Sequence, residues 1–114
     1  MNKKLGPIIF SKMNPPSPWQ PENGKVNLAV LGKLGEELCE LGAAINRCII
    51  QGVDEKHPVT GKPNKEWLED EVADVGAGLE IIISHFNLDM GRMDERYEMK
   101  KEHKLAWHKL IKEV

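Results

Sequence analysis

Apolar residues recur at steps of three and four between Leu31 and Cys48, and this spacing constrains the fold more than any other feature. Six positions follow it: Leu31, Leu34, Leu38, Leu41, Ile45 and Cys48. Such spacing places apolar side chains on one stripe of an α-helix. It predicts a first helix over about residues 26–51, ending before Gly52, where a C-capping glycine is expected.

Two further segments have a helical pattern. Glycines and prolines over residues 52–63 predict a loop, and Asn64 is suited to cap a second helix that runs to about Phe86. Its apolar stripe consists of Leu68, Val72, Val75, Leu79, Ile82 and Phe86. A break at residues 87–88 precedes a third helix over about residues 89–113. Since no segment alternates in the manner of a strand, the sequence predicts an all-α fold.

The first 24 residues differ from the rest of the chain in composition. They contain five of the seven prolines, a density at which no helical pattern survives. We therefore expect an irregular proline-rich arm over residues 1–24. A chain of 114 residues suits one domain, and we expect a single helical domain over residues 25–114.

Charge and composition argue against several classes of partner. The net charge of −2 and the isoelectric point near 6.1 give no reason to expect a nucleic-acid partner. No apolar run approaches the roughly 18 residues of a membrane span, and the basic N-terminus lacks the apolar region of a secretory signal. Cys39 and Cys48 point to opposite sides of the first helix and cannot form a disulfide with each other. We expect a cytoplasmic protein that binds neither nucleic acid nor membrane.

The first two helices repeat one acidic pattern at an offset of 34 residues. Glu37 corresponds to Glu71, and Glu40 corresponds to Asp74. In each helix the pair flanks the apolar stripe. Packing the stripes together would bring four carboxylates to one seam, where like charges need compensation. All of the donors in the two pairs are oxygens, and neither pair contains a histidine. The pattern therefore favours Mg²⁺ or Mn²⁺ over zinc or a di-iron centre.

Neighbouring residues refine this hypothesis. Ala44 and Gly78 stand one turn further along each acidic stripe, and their small size predicts room for a ligand. Glu36 and Asp70 fall on the far side and are expected to be solvated. Either acidic pair alone is typical of an ordinary charged helix face. The matched phase of the two pairs therefore carries the prediction of a metal site.

These acids resemble the motifs of the MazG-like nucleoside triphosphate pyrophosphohydrolases, a family of the all-α NTP pyrophosphatase superfamily. The marks of the family are E-E-x-x-E on one helix and E-x-x-D on the next. They stand here at residues 36–40 and 71–74, and the resemblance covers about residues 28–104. It implies Mg²⁺-dependent cleavage of the α–β phosphoanhydride of a nucleoside triphosphate, for which we expect a dNTP, to a nucleoside monophosphate and pyrophosphate. The implied catalytic residues and metal ligands are Glu37, Glu40, Glu71 and Asp74.

The resemblance also implies a long-helix bundle in which two chains complete a four-helix core. The apolar pattern favours the same assembly, because three helices cannot cover all of the isoleucines. Those most in need of cover are Ile49, Ile50, Ile81, Ile82 and Ile83. We expect a homodimer, with a homotetramer left open.

Substrate contacts are predicted with less support from motifs. Family members often carry a lysine on the third helix and an asparagine four residues later. The counterparts here are Arg96 and Lys100, without the asparagine. Lys100 and Lys104 fall within an apolar stripe, which suggests phosphate contacts, although such side chains also extend over a core while their amines stay in water. Trp19 is a candidate for stacking on a base, the alternative being that it pins the arm to the body.

Two other residues have structural interpretations. Lys33 lies one turn before Glu37 and is expected to form a helix-surface salt bridge with it. Trp67, at the start of the second helix, is interpreted as a core or interface residue.

Two alternative functions stay open at this point. Within the same superfamily, hydrolysis of phosphoribosyl-ATP or of dUTP would use the same acids with a different base pocket. In another class, the chain would be a non-catalytic helical interaction module, and its acids would only solvate a dimer seam.

Overall fold

The computed structural model describes residues 18–113, which form three α-helices and no strand. The all-α prediction is therefore confirmed for this part of the chain. The helices are α1 (Lys25–Gln51), α2 (Asn64–Phe86) and α3 (Met90–Lys112). Residues 18–24 contain no helix, and the remainder of the predicted arm, residues 1–17, lies outside the described residues. None of the described helices is long and apolar enough to cross a membrane.

Helices α1 and α2 both end at the positions that the sequence predicts. Gly52 ends α1 at φ 109°, a conformation that side chains disfavour, and its N–H donates to the Cys48 carbonyl at 2.9 Å. Asn87 ends α2 in the left-handed region at φ 50°. The carboxylate of Asp89 then accepts a hydrogen bond from the Arg92 N–H at 3.0 Å and caps α3.

The prediction that Asn64 caps α2 is wrong. Pro63 occupies the N-cap position, and Asn64 is the first helical residue. Its side chain is fully buried and donates instead to the carbonyl oxygen of Gly52 at 2.8 Å. Asn64 therefore ties the start of α2 to the end of α1, because its amide reaches across the loop rather than along its own helix.

Helices α1 and α2 pack against each other in antiparallel orientation. Residue numbers run in opposite directions along the two helices. The contacting pairs are Asn27 with His85, Leu34 with Gly78, and Cys48 with Asn64. Leu34, Ala44, Cys48 and Val75 form the buried apolar core between them. A methyl group added at Gly78 would lie 3.0 Å from Cδ1 of Leu34. The space predicted beside Gly78 is thus taken by helix packing and is not open to a ligand.

Much apolar surface stays uncovered in a single chain. No residue of α3 is buried. On the helix pair, Ile49 is 75% exposed and Ile50 is 81% exposed. Leu31, Leu38 and Ile45, spaced by seven residues along one side of α1, are each between 42% and 49% exposed. Exposed apolar side chains in a row along one helix side are typical of an interaction face.

Candidate metal centre

The antiparallel pairing of α1 and α2 brings the two acidic pairs together. Glu37 and Glu40 lie one turn apart on α1, and Glu71 and Asp74 lie one turn apart on α2. One carboxylate oxygen from each of the four residues lies within 4.8 Å of the others. The convergence of these four side chains, which we call the acidic cluster, was predicted from the 34-residue offset.

Two members of the acidic cluster are half-buried, and each has an oxygen without a partner. The Glu37 side chain is only 12% exposed. Oε2 of Glu37 and Oε2 of Glu71 are both buried, and neither accepts a hydrogen bond. Leaving a buried charged oxygen unsatisfied costs on the order of 1–3 kcal/mol or more. Two such oxygens in one cluster therefore indicate a positively charged ligand that contacts both.

The protein itself supplies little of that charge. Lys33 Nζ lies 3.4 Å from Oε1 of Glu37 and 3.5 Å from Oε1 of Glu36, so the predicted salt bridge between Lys33 and Glu37 is confirmed. A hydrogen bond with Glu37 and the charges of both glutamates raise the pKa of Lys33. The lysine side chain is 65% exposed, so water weakens its effect on the cluster.

The pKa of Glu40 reflects its position among the other acids of the cluster. Desolvation raises the pKa of this carboxyl above its ordinary value, and the charges of Glu37 and Glu71 raise it further. A hard divalent cation would relieve both causes, since carboxylate oxygens are the ligands that Mg²⁺ and Mn²⁺ prefer. The residues present thus fit such an ion in both charge and donor type.

The acids outside the cluster behave as solvated surface groups. Glu36 is exposed, and Lys33 is its one ion-pair partner among the described residues. Asp70 is exposed and pairs with Lys62, with 2.6 Å between Nζ and Oδ2. Both positions agree with the prediction that these residues face away from the seam, and they provide matched controls for the acids inside it.

A cleft of about 350 Å³ opens beside the acidic cluster. Its lining residues are Glu40, Ala43, Ala44, Arg47, Trp67 and Glu71. Ala44 thus leaves the space that its small size predicted, although Gly78 does not. Sequence reasoning missed Arg47, which lies seven residues after Glu40 and so on the same side of α1. That spacing was the available signal.

The other predicted substrate contacts do not line this cleft in a single chain. Lys100 and Lys104 lie over a separate hollow on α3 together with Trp107. Arg96 lines another hollow near the start of α3, and Trp19 is 83% exposed. Their assignment as substrate contacts stays a prediction.

No protein-family model, curated protein or solved structure matches this chain. The resemblance to MazG-like enzymes therefore rests on the residues and spacings of the two acidic motifs.

Proposed function

We propose that this protein is a nucleotide pyrophosphohydrolase that depends on Mg²⁺, with Mn²⁺ as a possible replacement. Its reaction would add water across the α–β phosphoanhydride of a nucleoside triphosphate and release a nucleoside monophosphate and pyrophosphate. The observation that carries the proposal is the convergence of four carboxylates, of which two have buried oxygens without partners. The choice of the α–β bond comes from the motif resemblance.

Each part of the acidic cluster has a role in this chemistry. Glu37, Glu40, Glu71 and Asp74 would hold the cation. A divalent ion at such a site neutralises phosphate oxygens and lowers the pKa of a bound water. A carboxylate of the cluster would orient the attacking water and accept its proton. The cleft beside Glu40 and Glu71 provides space for the ligand.

The same proposal includes a homodimer, with a tetramer as the larger alternative. The uncovered stripe on α1 is formed by Leu31, Leu38 and Ile45, and α2 carries a second pair of exposed apolar residues at the same spacing, Val72 and Leu79, which are 55% and 44% exposed. A second copy would cover both stripes and complete a four-helix core. It would also supply a second α3, which is the route by which Lys100 and Lys104 could reach a cleft.

The test is incubation of the full chain with each of the eight common NTPs and dNTPs, with Mg²⁺ or Mn²⁺, followed by product analysis. Pyrophosphate and nucleoside monophosphate, lost in EDTA and in Glu71→Gln, would support the proposal and rank the bases. Orthophosphate and nucleoside diphosphate would mean that the metal site is right and the cleaved bond is wrong.

Failure to turn over any of the eight nucleotides would have two distinct meanings. With metal binding intact, phosphoribosyl-ATP or another specialised substrate of the same superfamily becomes the next candidate. With no metal binding, the interaction module becomes the better account, because the exposed apolar stripes would then be the main functional feature.

A further inference from the structure

The cleft beside the acidic cluster has charges of opposite sign at its two ends. Among its lining residues, Glu40 and Glu71 converge in the acidic cluster, whereas Arg47 and Trp67 contact each other one to two turns further along the helix pair. Seven residues separate Glu40 from Arg47, a rise of about 10 Å along the helix. Long helical side chains lean toward the N-terminus of their helix, so Arg47 leans back toward the acids. A ligand in the cleft would therefore meet both.

Arg47 contacts an aromatic ring, but no carboxylate in the described part of the chain neutralises its charge. Its guanidinium carbon lies 5.4 Å from the centroid of the Trp67 ring, within range of a cation–π contact. Although two carboxylates line the same cleft, no carboxylate among residues 18–113 forms a salt bridge with Arg47, and its guanidinium donates no hydrogen bond within that range. Arg47 is half-buried and keeps its guanidinium donors available to a ligand in the cleft.

Lys62 provides an internal comparison for Arg47. Its Nζ lies 4.5 Å from the centroid of the same Trp67 ring, so the indole holds two cations. Lys62 pairs with Asp70 at 2.6 Å, and this hydrogen bond raises its pKa. One of the two cations is therefore neutralised within the protein, whereas the other is available to an anion.

Trp67 itself points to a missing acceptor. Its Nε1 is buried and has no hydrogen-bond partner, whereas a buried indole N–H usually finds one. Arg47 and Trp67, which both line the cleft, therefore each carry an N–H donor without an acceptor among residues 18–113. At the opposite end, Oε2 of Glu71 is a buried carboxylate oxygen without a donor. A single ligand that carries a cation at one end and anionic oxygens along its length would satisfy both ends.

We propose that Arg47 is a specificity-determining residue that binds a phosphate group of a metal-bound polyphosphate chain. The inference rests on the proposed function, because the cation at the acidic cluster is what lets a polyphosphate approach four carboxylates. One phosphate would be neutralised there, and another would accept hydrogen bonds from the guanidinium. A guanidinium binds phosphate oxygens in bidentate fashion, so the site would favour ligands with at least two linked phosphates over a single phosphate.

The experiment measures binding of inorganic tripolyphosphate and of orthophosphate to the full chain in Mg²⁺ by calorimetry. The variants are Arg47→Met, which keeps an unbranched stem against Trp67 but removes all donors, and Arg47→Lys, which keeps the charge. Lys65→Ala is the control, because Lys65 is an exposed cation paired with Asp54 at 2.9 Å outside the cleft. A thermal shift with Mg²⁺ alone is recorded for every variant.

The inference predicts that Arg47→Met weakens tripolyphosphate binding by roughly tenfold or more, with partial recovery in Arg47→Lys and no change in Lys65→Ala. Orthophosphate binding and the Mg²⁺ shift should stay as in the unmodified chain. Unchanged tripolyphosphate binding in Arg47→Met, with the Mg²⁺ shift intact, would overturn this inference alone. Loss of the Mg²⁺ shift in both Arg47 variants would also overturn it, because Arg47 would then support the cluster. Absence of any Mg²⁺ shift in the unmodified chain would overturn the proposed function as well.

Discussion

Helices α2 and α3 have the same length, 23 residues each, yet they occupy opposite situations in the chain. α2 buries Val75 against α1 and holds half of the acidic cluster, whereas α3 buries no residue. The sequence of α2 keeps a continuous apolar stripe, and that of α3 interrupts its apolar positions with lysines. The continuous apolar stripe therefore distinguishes the helix that packs against α1 from the helix that buries nothing. The catalytic proposal depends on the pair of α1 and α2.

The largest expected effect comes from neutralising an acid inside the helix pair. Glu71→Gln keeps the shape of the side chain and removes the charge of a half-buried carboxylate whose Oε2 has no partner. We expect it to lower metal-dependent pyrophosphate release by at least about 100-fold, since loss of even a supporting metal contact costs on the order of 10- to 100-fold. Steady-state assays with the preferred nucleotide provide the measurement.

Glu36→Gln is the matched control for that loss. It removes the same charge from an exposed residue that lies outside the acidic cluster, and its activity should stay within about twofold. Equal losses in the two variants would mean that general surface charge, rather than the cluster, supports turnover.

A smaller effect is expected from a charge placed on the uncovered face of α2. Leu79→Glu puts a carboxylate on a position that is 44% exposed in one chain and that a second copy would cover. Sedimentation should show a dimer for the unmodified chain and mainly monomer for Leu79→Glu. On α3, Leu105 is 58% exposed, and Leu105→Glu should remain dimeric if the helix pair forms the shared core. Dissociation by Leu105→Glu alone would place the interface on α3 instead.

Desolvation of Glu40, together with the repulsion within the acidic cluster, predicts a pH dependence of stability in the absence of metal. The pKa of Glu40 is raised in the folded chain above its ordinary value of 4.5, so the folded state binds a proton more tightly than the unfolded state. Its contribution is favourable below pH 4.5 and is lost as the pH rises through the raised pKa. In EDTA, melting temperatures between pH 4 and 7 should fall less steeply for Glu40→Gln than for the unmodified chain.

Glu80→Gln, which removes an exposed carboxylate elsewhere on α2, should leave that slope unchanged. A slope for Glu40→Gln identical to that of the unmodified chain would show that folding does not raise the pKa of Glu40.

The smallest expected effect comes from replacing a glycine of α2 by alanine, either on the side that contacts α1 or on the open side. Nothing lies within 4 Å of a methyl group added at Gly76, whereas one added at Gly78 meets Leu34 at 3.0 Å. Gly76→Ala should therefore raise the free energy of unfolding by about 1 kcal/mol through helix propensity. Gly78→Ala should gain less, because Leu34 must move. Chemical denaturation measures both, and a larger gain at Gly78 would contradict the helix register described above.

The helices and the acidic cluster could be predicted from the sequence because both depend on period. Apolar steps of three and four define the stripes, and the same period places Glu37 and Glu40 at the edge of one of them. The role of Asn64 could not be predicted in this way. Its amide bonds to Gly52 across a loop, a contact that depends on where the chain returns rather than on local preference.

The Arg47 end of the cleft could not be predicted from the sequence for the same reason. Arg47 shares a helix side with Glu40, but the sequence does not state that Trp67 lies opposite it on α2. The antiparallel pairing joins them, and only then does an unpaired arginine beside four acids become visible. Lys62 reaches the same ring from the loop, which no helical period describes.

A Mg²⁺ titration monitored by thermal unfolding of the full chain measures whether the four acids form a metal site. The account predicts that millimolar Mg²⁺ raises the melting temperature of the unmodified chain and of Glu36→Gln by several degrees, since a ligand at about 100 times its Kd stabilises a protein by about 2.7 kcal/mol. Glu71→Gln should show no rise. An equal rise in Glu71→Gln, or no rise with Mg²⁺ or Mn²⁺ in any chain, would contradict the account.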